Sequence, residues 1–169
     1  MSLSNAARRE NVRRSLRLLM AEVGERWIKM ALIDLHSDPY KSVDETTWVD
    51  LRNQDLIQDA EAGSVHLTGQ GWEEGLRLMG QDNPDTRARV VRIYQGLRTI
   101  VAGRSGPALV APVRLGDVAG ATSLQSVFIA NVIEARLIER WLNRRSATWA
   151  AGFEGRMSLV PPDFGEEIP

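Results

Sequence analysis

The feature that most constrains the fold of this chain is a sequence pattern that occurs twice. Each copy begins with the last residues of a predicted helix. A polar stretch that contains glycine follows, and then a short segment with the pattern of a strand. In the first copy these parts are residues 55–58 and 65–68, and in the second they are residues 136–139 and 157–160. The pattern predicts two small units that each combine helices with a β-hairpin. The expected fold class is therefore mainly α with small β-hairpins, of the α+β type.

Length and composition allow two small domains. The chain has 169 residues, of which 43% are hydrophobic and 25% charged, as is typical of a soluble globular protein with a core. It has no cysteine, which excludes disulfides and thiolate metal sites and favours a reducing cytoplasm. No apolar run approaches the roughly 20 residues that span a bilayer. Arg13, Arg14 and Arg17 interrupt the first apolar cluster, so neither a membrane segment nor a secretory signal is expected.

The polar segment at residues 81–85 is the predicted linker between the two units. It contains Pro84 among amide and carboxylate side chains, a composition typical of a loop. This position predicts one unit over residues 8–80 and a second over residues 85–165.

The first unit is predicted to begin with a long helix. Helical periodicity of apolar residues runs from Arg8 to about Leu35, and Gly24 is a point where the helix bends or breaks. Because this helix carries more apolar positions than one small unit needs, we expect a homodimer built partly on it. Farther along, Thr68 is placed to cap a helix that starts near Gly71.

In the second unit, residues 115–143 have the spacing of two helices that cross at a tight turn. Ala119 is the small residue that such a crossing needs, and apolar residues at the expected offsets fill the angle between the helices. Ser123 stands where the turn usually has glycine, and serine makes a left-handed turn less easily than glycine does. Residues 147–160 are then predicted to form two strands, with the turn between them at residues 152–155.

The order helix, helix, helix, hairpin over residues 86–165 resembles the winged helix-turn-helix superfamily. Residues 9–80 have a fainter resemblance to bacterial winged-helix regulators. It lies in the ending of the motif, at residues 55–57, 65–68 and 69–72. The resemblance implies tandem winged-helix-like units, a three-helix core with a small sheet, and a second motif helix that often enters the major groove of DNA. No separate first motif helix is visible before Trp48, so the first unit is either a trimmed version or a small α+β adaptor.

If the second unit binds duplex DNA, the contact residues follow from their place in the motif. At the start of the second helix the exposed positions would include Val127 and Ala130, which offer no hydrogen bonds, and three residues that can contact base edges: Gln125, Ser126 and Asn131. Four arginines farther along would meet phosphates, namely Arg136, Arg140, Arg144 and Arg145. Arg156, near the wing tip, could approach the minor groove.

The charge of residues 86–149, net +7, supports this hypothesis, although the whole chain has net charge −1. More of this positive charge lies in the preceding helix, at Arg87, Arg89, Arg92 and Arg98. The alternative explanation is that these arginines only solvate helix faces.

The helix of the first unit at the corresponding place is acidic. Arg52 is its only basic residue, against five carboxylates: Asp44, Glu45, Asp50, Asp55 and Asp59. Such a face repels phosphates and suits a basic protein partner at residues 44–61. A protein-assembly module without DNA contact is therefore the alternative to a DNA-associated regulator or accessory protein.

The sequence offers no converging groups for catalysis. His36 and His66 are the only histidines, and neither has metal-ligand partners at useful spacing. No glycine-rich phosphate loop with a Lys-Ser/Thr ending precedes a helix. We therefore expect a non-enzymatic protein without a cofactor or metal.

Overall fold

In a computed structural model, which describes residues 3–152 and 157–165, the chain divides into two compact units. These are Met1–Asp82 and Asn83–Pro169, and their boundary falls inside the predicted linker. The described residues contain seven α-helices and two antiparallel sheets of three short strands each. The chain is thus mainly α with small β elements, as the sequence predicts. Within the described part of the chain, no single helix is both long and apolar enough to cross a membrane.

The first unit places a small sheet among three helices. Its elements in chain order are α1 (Asn5–Val23), β1 (Ile33–Asp34), a 3-10 turn (Tyr40–Ser42), α2 (Glu45–Asn53), β2 (Ile57–Asp59), β3 (Ser64–Leu67) and α3 (Gly69–Leu78). The strand order is β1-β3-β2, and both pairs are antiparallel. Val65 in the central strand lies opposite Ile33 on one side and Asp59 on the other. The predicted strand and the Thr68 cap are confirmed, since the Thr68 hydroxyl accepts from the Gly71 N–H at 2.9 Å.

The predicted helix from Arg8 to about Leu35 is wrong in its second half. α1 ends at Val23, Gly24 follows as its C-terminal cap, and Ile33 belongs to a strand. Backbone pairing between β1 and β3 outweighs the helical periodicity, because it satisfies the N–H and C=O groups of a segment that is buried. Trp27 and Ile28 are at most 8% exposed. Much of the apolar excess that suggested a homodimer is therefore core of the first unit, although Met30 and Leu32 are exposed. The homodimer stays a prediction.

In the second unit a long helix precedes the helical pair and the second sheet. Its elements are α4 (Pro84–Ala102), a 3-10 turn (Gly106–Val110), β4 (Val113–Arg114), α5 (Leu115–Thr122), α6 (Ser126–Ala135), α7 (Leu137–Leu142), β5 (Thr148–Trp149) and β6 (Ser158–Val160). The strand order is β4-β6-β5, again antiparallel throughout. Both sheets therefore place the last strand between the first and the second. The predicted hairpin strands are present, and of the predicted turn only Gly152 lies within the described residues.

The predicted turn between two crossing helices is present. α5 and α6 meet at 109°, within the range of about 90–120° that is usual for a helix-turn-helix. Ser123 is left-handed, with φ 59° and ψ 27°, as the position of the usual glycine requires. Ala119 is half-buried on α5. A close approach that the sequence did not indicate is at Gly96 of α4, where a side chain would collide with the Thr122 methyl group.

The sequence predicts two helices over residues 115–143, but the structure divides the second of them. α6 ends at Ala135, and Arg136 adopts a left-handed conformation with φ 59° and ψ 37°. This residue breaks the helical hydrogen-bond series and redirects the chain into α7. Leu137 and Ile138, which are adjacent in sequence, both become fully buried as a result. The left-handed backbone at Arg136, where an L-residue leaves the helical region, is what divides the second helix into α6 and α7.

Candidate nucleic-acid interface

The N-terminus of α6 is the part of the predicted interface that the structure leaves accessible. Gln125 is the N-cap residue of α6. Its side chain is exposed and makes no hydrogen bond with any described residue. Ser126 and Val127 follow in the first turn and are half-buried. The positive end of the α6 helix dipole favours an anion such as a phosphate here. Gln125 and Ser126 can therefore still contact a nucleic acid.

Asn131 and Ala130 do not face outward, and the prediction for both is wrong. Asn131 is only 4% exposed and Ala130 only 2%. The cause is that α6 is buried over five consecutive residues, from Ile129 to Ile133, which exceeds one helix face. Two of the three predicted base-reading side chains thus remain.

The four predicted phosphate-contact arginines lie at the opposite end of α6. Arg136 follows that helix, is 68% exposed and forms an ion pair with Glu139, its Nε donating to Oε2 at 2.6 Å. Arg140 on α7 and Arg144 and Arg145 beyond it are exposed. α6 has ten residues, which separates this group from Gln125 by about 15 Å.

Arg144 and Arg145 line two adjacent grooves of about 530 and 460 Å³. Both grooves also contain Asn143 and the carboxylate of Asp163. The pair of guanidiniums therefore faces an open, polar surface with one opposing charge among the residues common to both grooves. Arg156 of the predicted interface lies outside the described residues.

The strands of the second unit are held against α6 by a tryptophan. The indole N–H of Trp149 on β5 donates to the Glu134 carboxylate at 3.0 Å. This hydrogen bond fixes the sheet relative to the end of α6, where the arginine group begins.

The arginines of α4 mostly make contacts inside the second unit instead of adding to an open positive surface. The Arg87 guanidinium lies 5.0 Å from the ring centroid of Trp141 on α7. Arg89 lies 5.5 Å from the ring of Phe128 on α6. Arg92 donates to the Thr122 carbonyl at 3.2 Å. These contacts attach α4 to the following helices, and the expectation that this row serves DNA is not supported by its geometry.

The acidic surface of the first unit is real but smaller than predicted. Asp50 is 9% exposed and accepts two hydrogen bonds from Arg8 of α1, from Nε at 3.0 Å and from Nη2 at 2.5 Å. These hydrogen bonds lower the pKa of Asp50, and burial opposes them. Arg52 lies 3.0 Å from Asp59 and 3.5 Å from Glu45. Asp50 is therefore a structural anchor, and Arg52 offsets part of the remaining acidic charge.

The histidines occupy structural positions in the first unit. His66 on β3 places Nδ1 2.8 Å from the Leu67 carbonyl, to which that nitrogen donates. His36 is exposed in the turn after β1. Burial, with Glu22 nearby, raises the pKa of Tyr40 to about 12. The described part of the chain has no group of three or more His, Asp or Glu side chains that could hold a metal ion.

One set of exposed cations was missed as a candidate site, the arginines of α1. Arg9, Arg13 and Arg17 repeat every four residues, which is the signal by which the sequence places them on one face.

Comparison of the chain with family models, with curated proteins and with solved structures gives no match. The geometry and charge of the two units are therefore the basis for a functional proposal.

Proposed function

We propose that this chain is a non-enzymatic, DNA-associated accessory protein with two winged-helix-type units, and that its second unit holds duplex DNA by the phosphate backbone. The observation that carries the proposal is the arginine group at the end of α6 and on α7: Arg136, Arg140, Arg144 and Arg145. The four arginines lie within ten residues and are all exposed, and Arg144 and Arg145 line open grooves, so together they form a compact positive surface.

The shared sheet topology supports the winged-helix interpretation of both units. Each unit has a long helix, a strand, further helical turns and two strands, with the last strand in the middle of the sheet. In the first unit, the 3-10 turn and α2 take the places that α5 and α6 take in the second. A three-helix core with a small sheet is what the winged-helix resemblance implies.

The expected binding is to phosphates and largely independent of base sequence. Arginine presents a planar set of donors that matches phosphate oxygens and keeps its charge at any physiological pH. Base reading has few groups left, because Asn131 is buried and only Gln125 and Ser126 remain at the accessible end of α6. Contacts to phosphates position a protein on the duplex without carrying sequence information.

The test is charge reversal at Arg140, Arg144 and Arg145 to Glu, with binding to a short labelled duplex followed by fluorescence anisotropy. At about 50 mM salt the wild-type chain should bind, and the triple variant should bind much more weakly, because three favourable phosphate interactions become repulsive. A parallel Gln triple variant removes only the charge and is less disruptive to the fold. Equal DNA affinity of the folded triple variants and the wild type would refute the proposed surface.

A matched control changes three cations of the first unit that follow α1 in the chain. These are Arg26, Lys29 and Lys41, whose substitution alters the net charge by the same amount. The control variant should bind DNA with nearly the wild-type affinity at moderate salt. This separates a local contact from a general effect of net charge.

A protein-assembly module is the second candidate, and exposed apolar side chains of the first unit favour it. Met30 is 61% exposed, Leu32 45% and Val49 42%. Val49 lies on α2, the helix that also carries the exposed carboxylate of Glu45. Absence of any duplex binding at about 50 mM salt, where counterion release favours binding, would support this candidate over the first.

A further inference from the structure

The exposed side of α1 carries a concentration of positive charge in a unit that is otherwise acidic. Within its 19 residues α1 has two glutamates, Glu10 and Glu22, against five arginines: Arg8, Arg9, Arg13, Arg14 and Arg17. Arg8 is committed to Asp50, as described above. The other four are exposed, and we refer to them as the α1 arginine row.

The guanidiniums of this row are largely uncommitted. Arg9, Arg14 and Arg17 make no hydrogen bond, ion pair or ring contact with any residue that the structure describes. Arg13 is half exposed and lies 3.8 Å from Glu10, a loose pair. Among the remaining arginines in the described ranges, Arg145 alone shares this state. The side chains available for an external anion are therefore concentrated on α1.

The spacing of the row suits an extended anionic ligand. Arg9, Arg13 and Arg17 are four residues apart, so they lie on one side of the helix at intervals of about 6 Å and span about 12 Å. A duplex presents roughly seven phosphate charges over that length of its axis. Arg14, the fourth member of the row, lies three residues before Arg17.

A groove beside the row extends this surface toward α3. It has a volume of about 480 Å³, and Arg9 and Arg13 form part of one wall. Gln54 and Gln70 line it as well, and the Gln70 amide donates to the Gln54 carbonyl at 3.1 Å. The other lining residues are apolar and largely buried, namely Val12, Leu16, Leu56 and Leu78. Glu74 is the only carboxylate among its lining residues, and this carboxylate already forms an ion pair with Arg77.

The character of the face favours a nucleic-acid backbone over a membrane or a protein. The apolar side of α1 is buried in the first unit, with Leu16, Leu19 and Val23 at 0% exposure, so it is not available to enter a bilayer. Between Asn5 and Val23 no large apolar side chain is exposed, whereas a protein interface needs apolar anchors at its centre. Uncommitted arginines without such anchors are typical of phosphate contacts.

We propose that the α1 arginine row is a second phosphate-binding surface, which contacts the backbone of a nucleic acid independently of the arginines of the second unit. The two surfaces use different residues on different units. Each therefore contributes its own share of the salt dependence of binding.

The test compares two Gln triple variants of the full chain. One neutralises Arg9, Arg13 and Arg17, and the other neutralises the second-unit triad of residues 140, 144 and 145. Affinity for a short duplex is measured against salt concentration. Each phosphate that the protein no longer neutralises should reduce the slope of log K against log salt by about 0.9, so the slope of the α1 variant should be shallower by about 2.7. The control variant with Gln at the three cations 26, 29 and 41 should keep the wild-type slope.

The outcomes separate the two proposals. A reduced slope in the α1 variant and an unchanged slope in the second-unit variant would refute the proposed function at that surface and support the α1 inference. The reverse result would overturn the α1 inference alone. A second result would also overturn the α1 inference. In that case the α1 variant loses binding to phosphatidylserine vesicles, while its affinity for the duplex stays as in the wild type. Circular dichroism checks folding, and a milder Arg14→Gln, Arg17→Gln pair, whose slope should be shallower by about 1.8, replaces a triple variant that does not fold.

Discussion

Replacing Ser123 by glycine should stabilise the second unit, because Ser123 closes the turn between α5 and α6 in a left-handed conformation. At φ 59° and ψ 27° an L-residue has an unfavourable contact between its Cβ and the following carbonyl oxygen, costing about 1–2 kcal/mol. Glycine avoids that cost but loses more backbone entropy on folding, about 0.5–1 kcal/mol. The Ser123 side chain is exposed and makes no hydrogen bond with a described residue, so its removal breaks no other interaction there.

The expected net gain for Ser123→Gly is about 0.5–1 kcal/mol, the difference of those two effects. For a unit of this size it corresponds to a rise in melting temperature of roughly 2–8 °C. Urea unfolding followed by circular dichroism measures the free energy, and a thermal scan measures the shift. Ser123→Val should go the other way, since a β-branched residue is strongly disfavoured at positive φ.

Ala88→Gly is the matched control, at an exposed position inside α4 where the backbone is helical. There glycine should destabilise by about 1 kcal/mol. If Ser123→Gly destabilises the chain by as much as Ala88→Gly does, Ser123 is not left-handed. The turn between the two helices, and with it the position of α6, would then be wrong.

Three further substitutions test the packing that positions the two surfaces. Asp50→Asn should reduce stability at neutral pH. Because Arg8 lowers the pKa of Asp50 in the folded chain, the wild-type advantage should be full above about pH 4 and should be lost as the pH falls through the lowered pKa. Urea unfolding midpoints at several pH values measure this advantage. An advantage that persists unchanged at pH 2 would contradict this. Thr68→Ala should cost about 1 kcal/mol of unfolding free energy through loss of the cap on Gly71, and Thr68→Ser should cost little. Ile129→Ala, in the fully buried part of α6, should cost about 2–5 kcal/mol, against about 0.5–1.5 for Ile129→Val; equal losses would show that this position is not packed.

Features that depend on local chemistry were predictable from the sequence. Thr68 caps α3, Ser123 takes the left-handed turn, and the polar segment after Gly80 contains the boundary between the units. Each of these follows from one residue or a few neighbours, because capping and turn geometry are properties of the local backbone.

Features that depend on distant partners were not predictable in the same way. The strands β1 and β4 are two residues long, and they exist because β3 and β6 lie beside them. α6 ends at a left-handed Arg136, and the chain then buries Leu137 and Ile138 in α7. Periodicity alone extended both predicted helices too far, since it does not register a competing tertiary contact.

In the candidate interface, too, the local features were predictable and the features that depend on distant contacts were not. Gln125 at the helix start was placed correctly by the motif, but Asn131, farther along the same helix, is buried by contacts that the motif does not specify. The α1 arginine row was visible as a four-residue spacing. Its significance depends on which arginines lack partners, and only the structure identifies them.

Salt-dependent binding of the full-length wild-type chain to duplex DNA tests the central claim most directly. Two duplexes of equal length and unrelated sequence are titrated at several salt concentrations. We predict that both bind with nearly the same affinity at each concentration, and that log K falls steeply and linearly as log salt rises, as counterion release requires. No binding at about 50 mM salt, or an affinity that hardly responds to salt, would contradict phosphate-mediated DNA binding.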